Sequence, residues 1–246
     1  MLNLLKELDA LVWGPPLLIL LVGTGIYLTL RLGLLQILRL PKAFQLIFTK
    51  DKGHGDVSSF AALCTALAAT VGTGNIIGVA TAIKVGGPGA LFWMWVAAFF
   101  GMALKYGEIV LSQLYRGKDS EGNLLSGPMY YIRDGLKAPW LGIVIAVLMC
   151  TKMMGANLVQ SNTISGVLKS NYNVPTWLTG VILICCLMAV VLGGLKRLAN
   201  IATSLVPIMS IFYVAVGLLV ILLHIQEVPG VFKEIFTQAF SMKAAA

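Results

Sequence analysis

Long, mainly apolar stretches are the feature that most constrains this chain of 246 residues. A helix needs about 20 such residues to cross the roughly 30 Å hydrocarbon core of a bilayer. Six stretches predict helical membrane spans, at 13–30, 58–83, 90–114, 140–168, 176–192 and 201–223. Only 11% of the residues are charged, against about 25% in soluble domains. We therefore predict an all-α, multi-pass integral membrane protein with a single transmembrane domain.

The basic residues are unevenly distributed among the connections. Counted together with Lys105 near the end of the third predicted span, the connections after the first, third and fifth spans hold twelve of the 18 Lys and Arg residues. Five lie on the opposite side, and Lys152 lies inside the fourth span. Because cytoplasmic loops carry the excess of Lys and Arg, this distribution predicts an N-terminus outside the cell. It also accounts for the net charge of +8 without a nucleic-acid partner.

The second predicted span contains a cluster of glycines and small polar residues: Thr70, Gly72, Thr73, Gly74, Asn75 and Gly78. Glycines four residues apart are typical of close helix packing, and this interpretation stays open. The cluster also predicts an interrupted helix. Unwound backbone at bilayer depth costs several kcal/mol for each freed group unless it lines a polar cavity. Its amides can hold a carboxylate and its carbonyls can coordinate sodium, so no charged side chain is required.

The spacing of the same glycines resembles a dinucleotide-binding pattern, but the surrounding sequence does not have the features that this pattern requires. That pattern follows a β-strand and precedes an acidic residue by about 20 positions. Here the preceding stretch is rich in Ala and Leu, and no acidic residue occurs at 93–98. We therefore predict no cofactor.

The fourth predicted span is also unusually polar. Asn157, Gln160, Ser161 and Ile164 follow each other at i, i+3, i+4 and i+7, so they share one helix face. These polar groups either bond to neighbouring helices or, in our preferred interpretation, place Asn157 and Gln160 in the cavity of the glycine break. Gln160 has both a donor and an acceptor to offer to a substrate.

Ionisable residues within spans are candidates for function by default. For Glu108 a local pair with Lys105 is a sufficient explanation. Lys152 has two interpretations that stay open, a pairing role and a role in the permeation path.

Catalytic and redox patterns are missing from the sequence. It contains no H-E-x-x-H and no G-x-S-x-G motif, and we predict that the chain is not an enzyme. The four cysteines lie in apolar stretches without the spacing of metal ligands, and they are predicted to be buried free thiols: Cys64, Cys150, Cys185 and Cys186.

Two connections have structure of their own. Residues 35–48 combine apolar side chains with Arg39, Pro41 and Lys42, which predicts a broken amphipathic segment on the cytoplasmic surface. Residues 126–135 begin with Ser and Pro and end at Gly135, which predicts a short intracellular helix.

Five segments together resemble a known transporter family. They are LAATVGTGNIIGVATAI at 67–83, GGPGALFWMW at 86–95, KYGEIVLSQLYR at 105–116, GPMYYI at 127–132 and MGANLVQSN at 154–162. On these motifs the chain resembles the alanine or glycine:cation symporter family, sodium-coupled amino-acid carriers of the APC superfamily with a LeuT-type fold.

The resemblance implies a fold and a site. In that fold two inverted repeats of five helices build the carrier, and this family has one extra helix in front. The substrate carboxylate is then expected at the backbone of Gly72, Thr73 and Gly74, with polar help from Thr70, Asn75 and Gln160. The carbonyls of Ala68 and Val71 are expected to contribute to one sodium site, and Thr70 and Asn75 to another.

By this resemblance the chain is expected to contain the preceding helix and the first repeat only. After residue 223 there is an amphipathic, external segment at 224–240, and the remaining C-terminal repeat is expected in the same or another chain. The implied function is sodium-coupled symport of alanine, with glycine as a second substrate, by alternating access across the plasma membrane of an archaeon or bacterium. The alternative is a passive channel or a non-transporting membrane subunit.

Overall fold

The computed structural model describes residues 15–49, 58–120 and 124–241, together with residues 7 and 122. The start of the first predicted span, at 13–14, lies outside the described residues. Within them the chain is helical, apart from one two-stranded antiparallel ribbon. In chain order the elements are α1 (Pro15–Arg31), α2 (Leu35–Leu38), α3 (Leu40–Phe48), α4 (Ser59–Thr70), a π-helical turn (Gly74–Gly78), α5 (Val79–Gly86), α6 (Gly89–Leu114), β1 (Gly117–Lys118), β2 (Leu124–Leu125), α7 (Pro128–Gly135), α8 (Pro139–Tyr172), α9 (Thr176–Val191), α10 (Gly194–Leu223) and α11 (Val228–Gln238).

The long helices coincide with the predicted spans. By length and composition α6, α8 and α10 can each cross a membrane, and α4 with the following segment Gly74–Gly86 forms a further, bent candidate. Helices α1 and α9 are also apolar but shorter, with 17 and 16 residues. The prediction of a helical integral membrane protein is confirmed. The count of six crossings stays a prediction.

The short connecting elements form where the sequence indicates. Residues 35–48 divide into α2 and α3 at Arg39, two residues before Pro41. Helix α7 begins at Pro128 and ends at Gly135. Proline suits the first turn of a helix because its missing N–H has no intrahelical acceptor there. Both predicted segments are therefore helical; their positions relative to the membrane stay predictions.

The chain divides into two compact units, and the first comprises Met1–Leu40 and Met94–Gly155. Here α1 lies close to α6, since a Cβ at Gly25 would be 2.9 Å from the carbonyl oxygen of Phe100. The buried Gln36 donates from Nε2 to Thr29 Oγ1 at 2.7 Å and to the Phe99 carbonyl at 3.4 Å. These bonds hold the start of α2 against α6 and satisfy the buried Gln36 Nε2 group, whereas Gln36 Oε1 has no partner among the described residues.

The second unit comprises Pro41–Trp93 and Ala156–Ala246. Its core lies between α4 and α10, where Cys64, Ala202 and Val206 are buried and Phe60 and Leu67 pack against them. Small side chains at the contact let two helices approach closely. This packing holds the C-terminal end of α4 beside the middle of α10.

Helix α11 packs on the start of α6 within the second unit. Trp93 donates from Nε1 to the carbonyl of Ala239 at 2.6 Å, and Phe92 meets Phe236 edge to face with ring centroids 5.7 Å apart. Ile235 and Ala239 are buried, so one face of the helix is apolar and covered. The amphipathic character predicted for 224–240 is confirmed, and its external location stays a prediction.

The thiols depart from expectation. All four cysteines are free, and Cys64 is buried, but Cys150, Cys185 and Cys186 are exposed on the described chain. The prediction of burial is wrong for these three. They lie on faces of α8 and α9 that no other described segment covers.

Candidate functional site

An interruption of the second span is the central feature of the site. Helix α4 ends at Thr70, and Val71 adopts extended backbone angles of φ −84° and ψ 108°. The π-helical turn begins at Gly74, and the two halves are bent by 57° relative to each other. A β-branched residue followed by glycine has a low helix propensity, which favours a break at this point. The predicted interruption is confirmed.

Backbone amides are free on one side of the break. The amides of Gly72, Thr73 and Gly74 donate to no acceptor among the described residues. The next two amides are engaged, since Asn75 donates to the Gly72 carbonyl at 3.1 Å and Ile76 to the Thr73 carbonyl at 3.2 Å. Free amides ahead of a helix carry partial positive charge and bind anions such as carboxylates.

Backbone carbonyls are free on the other side of the break. Among the described residues, nothing donates to the carbonyls of Ala68, Ala69 and Val71. Carbonyl oxygens at a helix C-terminus carry partial negative charge, which favours a cation. Ala68 and Val71, both predicted to contribute carbonyls to a sodium site, are therefore available for that role.

Thr70 and Asn75 are engaged with the backbone on either side of the break. The Thr70 hydroxyl donates to the carbonyl of Ala66 at 2.9 Å, one turn earlier in α4. The Asn75 side chain donates from Nδ2 to the Thr70 carbonyl at 3.3 Å and so bridges the two halves. That bond leaves the Asn75 Oδ1 atom directed to no protein donor among the described residues.

A cavity of about 510 Å³ opens at the break, inside the second unit. Four predicted substrate-binding residues line this cavity, namely Gly72, Thr73, Asn75 and Gln160. The predicted sodium ligand Val71 lines it as well. Gln160 reaches the break from α8, since a Cβ placed on Gly72 would lie 3.4 Å from Gln160 Oε1. The structure thus brings together residues that are almost 90 positions apart in the chain.

The remaining predicted residues lie outside the lining of this cavity. Gly74 and Ala68 are next to it in the chain, and the Thr70 hydroxyl is used within α4. Asn157 is exposed on α8, three residues before Gln160, and does not line the cavity.

Helix α10 supplies a wall that the sequence interpretation missed. Met209, Ser210, Tyr213 and Val214 line the cavity opposite the break. They follow Val206, which is buried against α4, and residues three, four, seven and eight positions on share its helix face. The available signal was two hydroxyl side chains, Ser210 and Tyr213, inside an otherwise apolar run.

The lining contains no charged side chain among the described residues. Its polar groups are neutral: free amides, the carboxamides of Asn75 and Gln160, and the hydroxyls of Ser210 and Tyr213. Such a set suits a small zwitterion, with the carboxylate on backbone amides and the ammonium on carboxamide or hydroxyl oxygens.

Comparison with known proteins gives a consistent result. The model of the sodium:alanine symporter family matches residues 1–246. A protein of Methanococcus maripaludis named sodium/alanine symporter AgcS is 45% identical, over 98% of this chain and 55% of its own length. An uncharacterized transporter of Haemophilus influenzae is 49% identical, over 99% and 54%. The probable sodium/glutamine symporter GlnT of Bacillus subtilis is 39% identical, over 96% and 50%. The chain spans about half the length of the curated relatives it matches.

Proposed function

Because the chain belongs to the sodium:alanine symporter family, we propose that the whole protein carries a small neutral amino acid across the membrane together with sodium. The observation that carries this proposal is the cavity at the break, where free amides, free carbonyls and the Gln160 carboxamide meet. The family and the named relatives are transporters, so the prediction that the chain is not an enzyme is confirmed.

The substrate carboxylate is proposed to accept hydrogen bonds from the amides of Gly72, Thr73 and Gly74. The ammonium then faces the oxygens of Asn75 and Gln160. This arrangement fits the free donors on one side of the break and the free Asn75 Oδ1 atom. An acidic or basic substrate side chain finds no charge partner in the lining, which favours neutral amino acids.

Sodium is proposed to bind at the end of α4, through the carbonyls of Ala68 and Val71. A second ion is proposed at Thr70 and Asn75. The Thr70 hydroxyl donates its proton to a carbonyl of α4 and retains oxygen lone pairs for a cation. Placing a cation beside the substrate carboxylate makes the binding of each favour the other, which is the basis of coupling.

Alanine is the proposed substrate, with glycine second. The relatives include one named for alanine and one named for glutamine, so cavity walls that differ within the family are expected to set the size of the accepted side chain. In this chain part of that wall is α10, with Ser210 and Tyr213.

The fold proposed for the whole protein is the LeuT-type arrangement of two inverted repeats, with alternating access between them. Helix α1 corresponds to the preceding helix, and the bent span, α6, α8, α9 and α10 correspond to five helices of the first repeat. We place the protein in the plasma membrane of a bacterium or archaeon, with its N-terminus outside.

Alanine uptake by the full-length protein in proteoliposomes tests the proposal. Uptake is expected to require an inward sodium gradient and to proceed against an alanine gradient. Equal uptake without sodium would remove the coupling, and uptake that only ever equilibrates alanine would favour the passive channel.

Side-chain variants test the site itself. Asn75→Ala and Gln160→Ala are each expected to weaken alanine binding, since each removes a polar partner worth about 1 kcal/mol, roughly fivefold. Asn162→Ala is the matched control, because Asn162 is an exposed amide on α8 outside the cavity. Affinities equal to that of the control in both variants would remove Asn75 and Gln160 from the site.

A further inference from the structure

A second cavity, of about 410 Å³, lies within the first unit. Side chains from three helices line it, and we call it the lysine pocket: Lys105, Glu108 and Ser112 from α6, Tyr131 from α7 and Lys152 from α8. None of these residues belongs to the cavity at the break. The pocket therefore requires its own explanation.

Charge in the lysine pocket is not balanced. Lys105 Nζ lies 2.6 Å from Glu108 Oε2, one turn apart on α6, as the sequence indicates. Lys152 has no hydrogen bond or ion pair with any described residue. With two lysines and one glutamate, the described lining has an excess of one positive charge. A pocket with such an excess attracts an anion.

Lys152 lies within a predicted membrane span and has no partner among the described residues. It lies thirteen residues after the start of α8, which is about 20 Å along a helix. Its neighbours in sequence are mainly apolar. Ionisable side chains within membrane spans are rare, and they face a partner or a polar cavity. Here Lys152 faces the lysine pocket, so the missing partner is expected inside it.

Neutral donors surround the unpaired charge. Ser112 and Tyr131 line the same pocket with their hydroxyl-bearing side chains. Burial and then the nearby Glu108 carboxylate raise the pKa of Tyr131 above its usual value, so its hydroxyl keeps its proton and remains a donor. Glu108 already accepts from Lys105. Donors thus exceed free acceptors in the pocket.

We propose that the lysine pocket binds a phosphate group, carried either by an anionic lipid headgroup or by a free phosphate. Phosphate offers several acceptor oxygens for one ammonium and two hydroxyls, and lysine is a common phosphate ligand. Basic pockets between membrane helices bind anionic headgroups in this way. The pocket lies between the C-terminal half of α6 and the N-terminal half of α8, and the long lysine side chains can extend toward the helix ends predicted to be cytoplasmic, where lipid headgroups lie.

Lipid retention by the purified full-length protein tests the proposal. The protein is reconstituted in nanodiscs of phosphatidylcholine, with or without phosphatidylglycerol, and bound lipids are counted by native mass spectrometry. Wild type is expected to retain phosphatidylglycerol in preference to phosphatidylcholine. Lys152→Gln is expected to lower that retention about fivefold, the effect of one lysine on an anionic lipid. Lys169→Gln is the matched control, since it removes the same charge from α8 outside the pocket.

Inorganic phosphate distinguishes the two sources. In this assay both proteins are reconstituted in phosphatidylcholine, and their thermal unfolding is measured with and without inorganic phosphate. If phosphate raises the unfolding temperature of wild type but not that of Lys152→Gln, the ligand is a free phosphate. Should Lys152→Gln fail to fold, Tyr131→Phe is expected to weaken retention in the same assay. The proposal is overturned if wild type neither retains phosphatidylglycerol in preference to phosphatidylcholine nor is stabilised by inorganic phosphate. It is also overturned if the pocket variants behave like Lys169→Gln in both assays. None of these readouts depends on transport.

Discussion

Replacing Gly72 by alanine separates the proposed site from the fold that supports it. A Cβ at this position would lie 3.4 Å from Gln160 Oε1 and 3.5 Å from Gln160 Nε2. These are ordinary van der Waals distances, and Gly72 does not adopt a positive φ. The fold therefore accommodates the methyl group. In the cavity, however, the methyl group covers the Gln160 carboxamide and takes space beside it that a bound ligand would occupy.

The expected magnitude follows from this loss of space. One additional methyl or methylene group in a fitted pocket changes binding by about 1–3 kcal/mol, or ten- to 200-fold. We expect alanine affinity to fall by that factor in Gly72→Ala. The stability should be unchanged or higher by about 0.4–1 kcal/mol, since alanine restricts the unfolded chain more than glycine does.

Calorimetric titration of alanine into the full-length protein, with sodium present, measures the effect. Gly78→Ala is the matched control, because it makes the same change in the same segment and its Cβ meets nothing within 4 Å. Thermal unfolding of both variants shows whether each is folded. If folded Gly72→Ala binds alanine as tightly as Gly78→Ala, the substrate does not contact the surface formed by Gly72 and Gln160.

Three further substitutions test the packing and the cavity wall. Gly89→Ala is expected to cost about 1–3 kcal/mol of stability, since its Cβ would collide with the backbone of α11; Gly101→Ala, with nothing within 4 Å, is the control in thermal unfolding. Trp93→Phe is expected to lower the free energy of unfolding in denaturant by about 1 kcal/mol, because it removes the hydrogen bond to α11. Tyr213→Phe is expected to weaken sodium-dependent alanine binding about threefold to tenfold through loss of its hydroxyl. Phe212→Leu, one position away and outside the cavity, should bind like wild type.

The break itself was predictable from local sequence. Gly72, Thr73 and Asn75 lie within four positions of each other, and their effect on a helix does not depend on distant residues. Gln160 was also predictable as a site residue, because the 3.6-residue period places it on a polar face of α8. Neither observation required knowledge of how the helices pack.

The other half of the site was not predictable in the same way. Ser210 and Tyr213 line the cavity because α10 packs its Val206 face on α4, and no local pattern specifies which helix meets which. The hydrogen bond of the Thr70 hydroxyl was likewise not predictable from the sequence. Its bond to the carbonyl of Ala66 is a local alternative to ligand binding that only the geometry identifies.

The sequence by itself determined that the long helices are membrane helices and where one of them is interrupted. The length of the apolar stretches specifies the membrane helices, and a run of glycine and small polar residues specifies the interruption. These are properties of a segment, since a backbone in lipid must satisfy its hydrogen bonds within the segment or line a cavity. Tertiary structure decided which side chains share a cavity. It brought Gln160 and α10 to the break, gathered Lys105, Glu108 and Lys152 in the lysine pocket, and left three cysteines exposed. Burial and proximity depend on the partner surface, and a partner surface is not a property of any one segment.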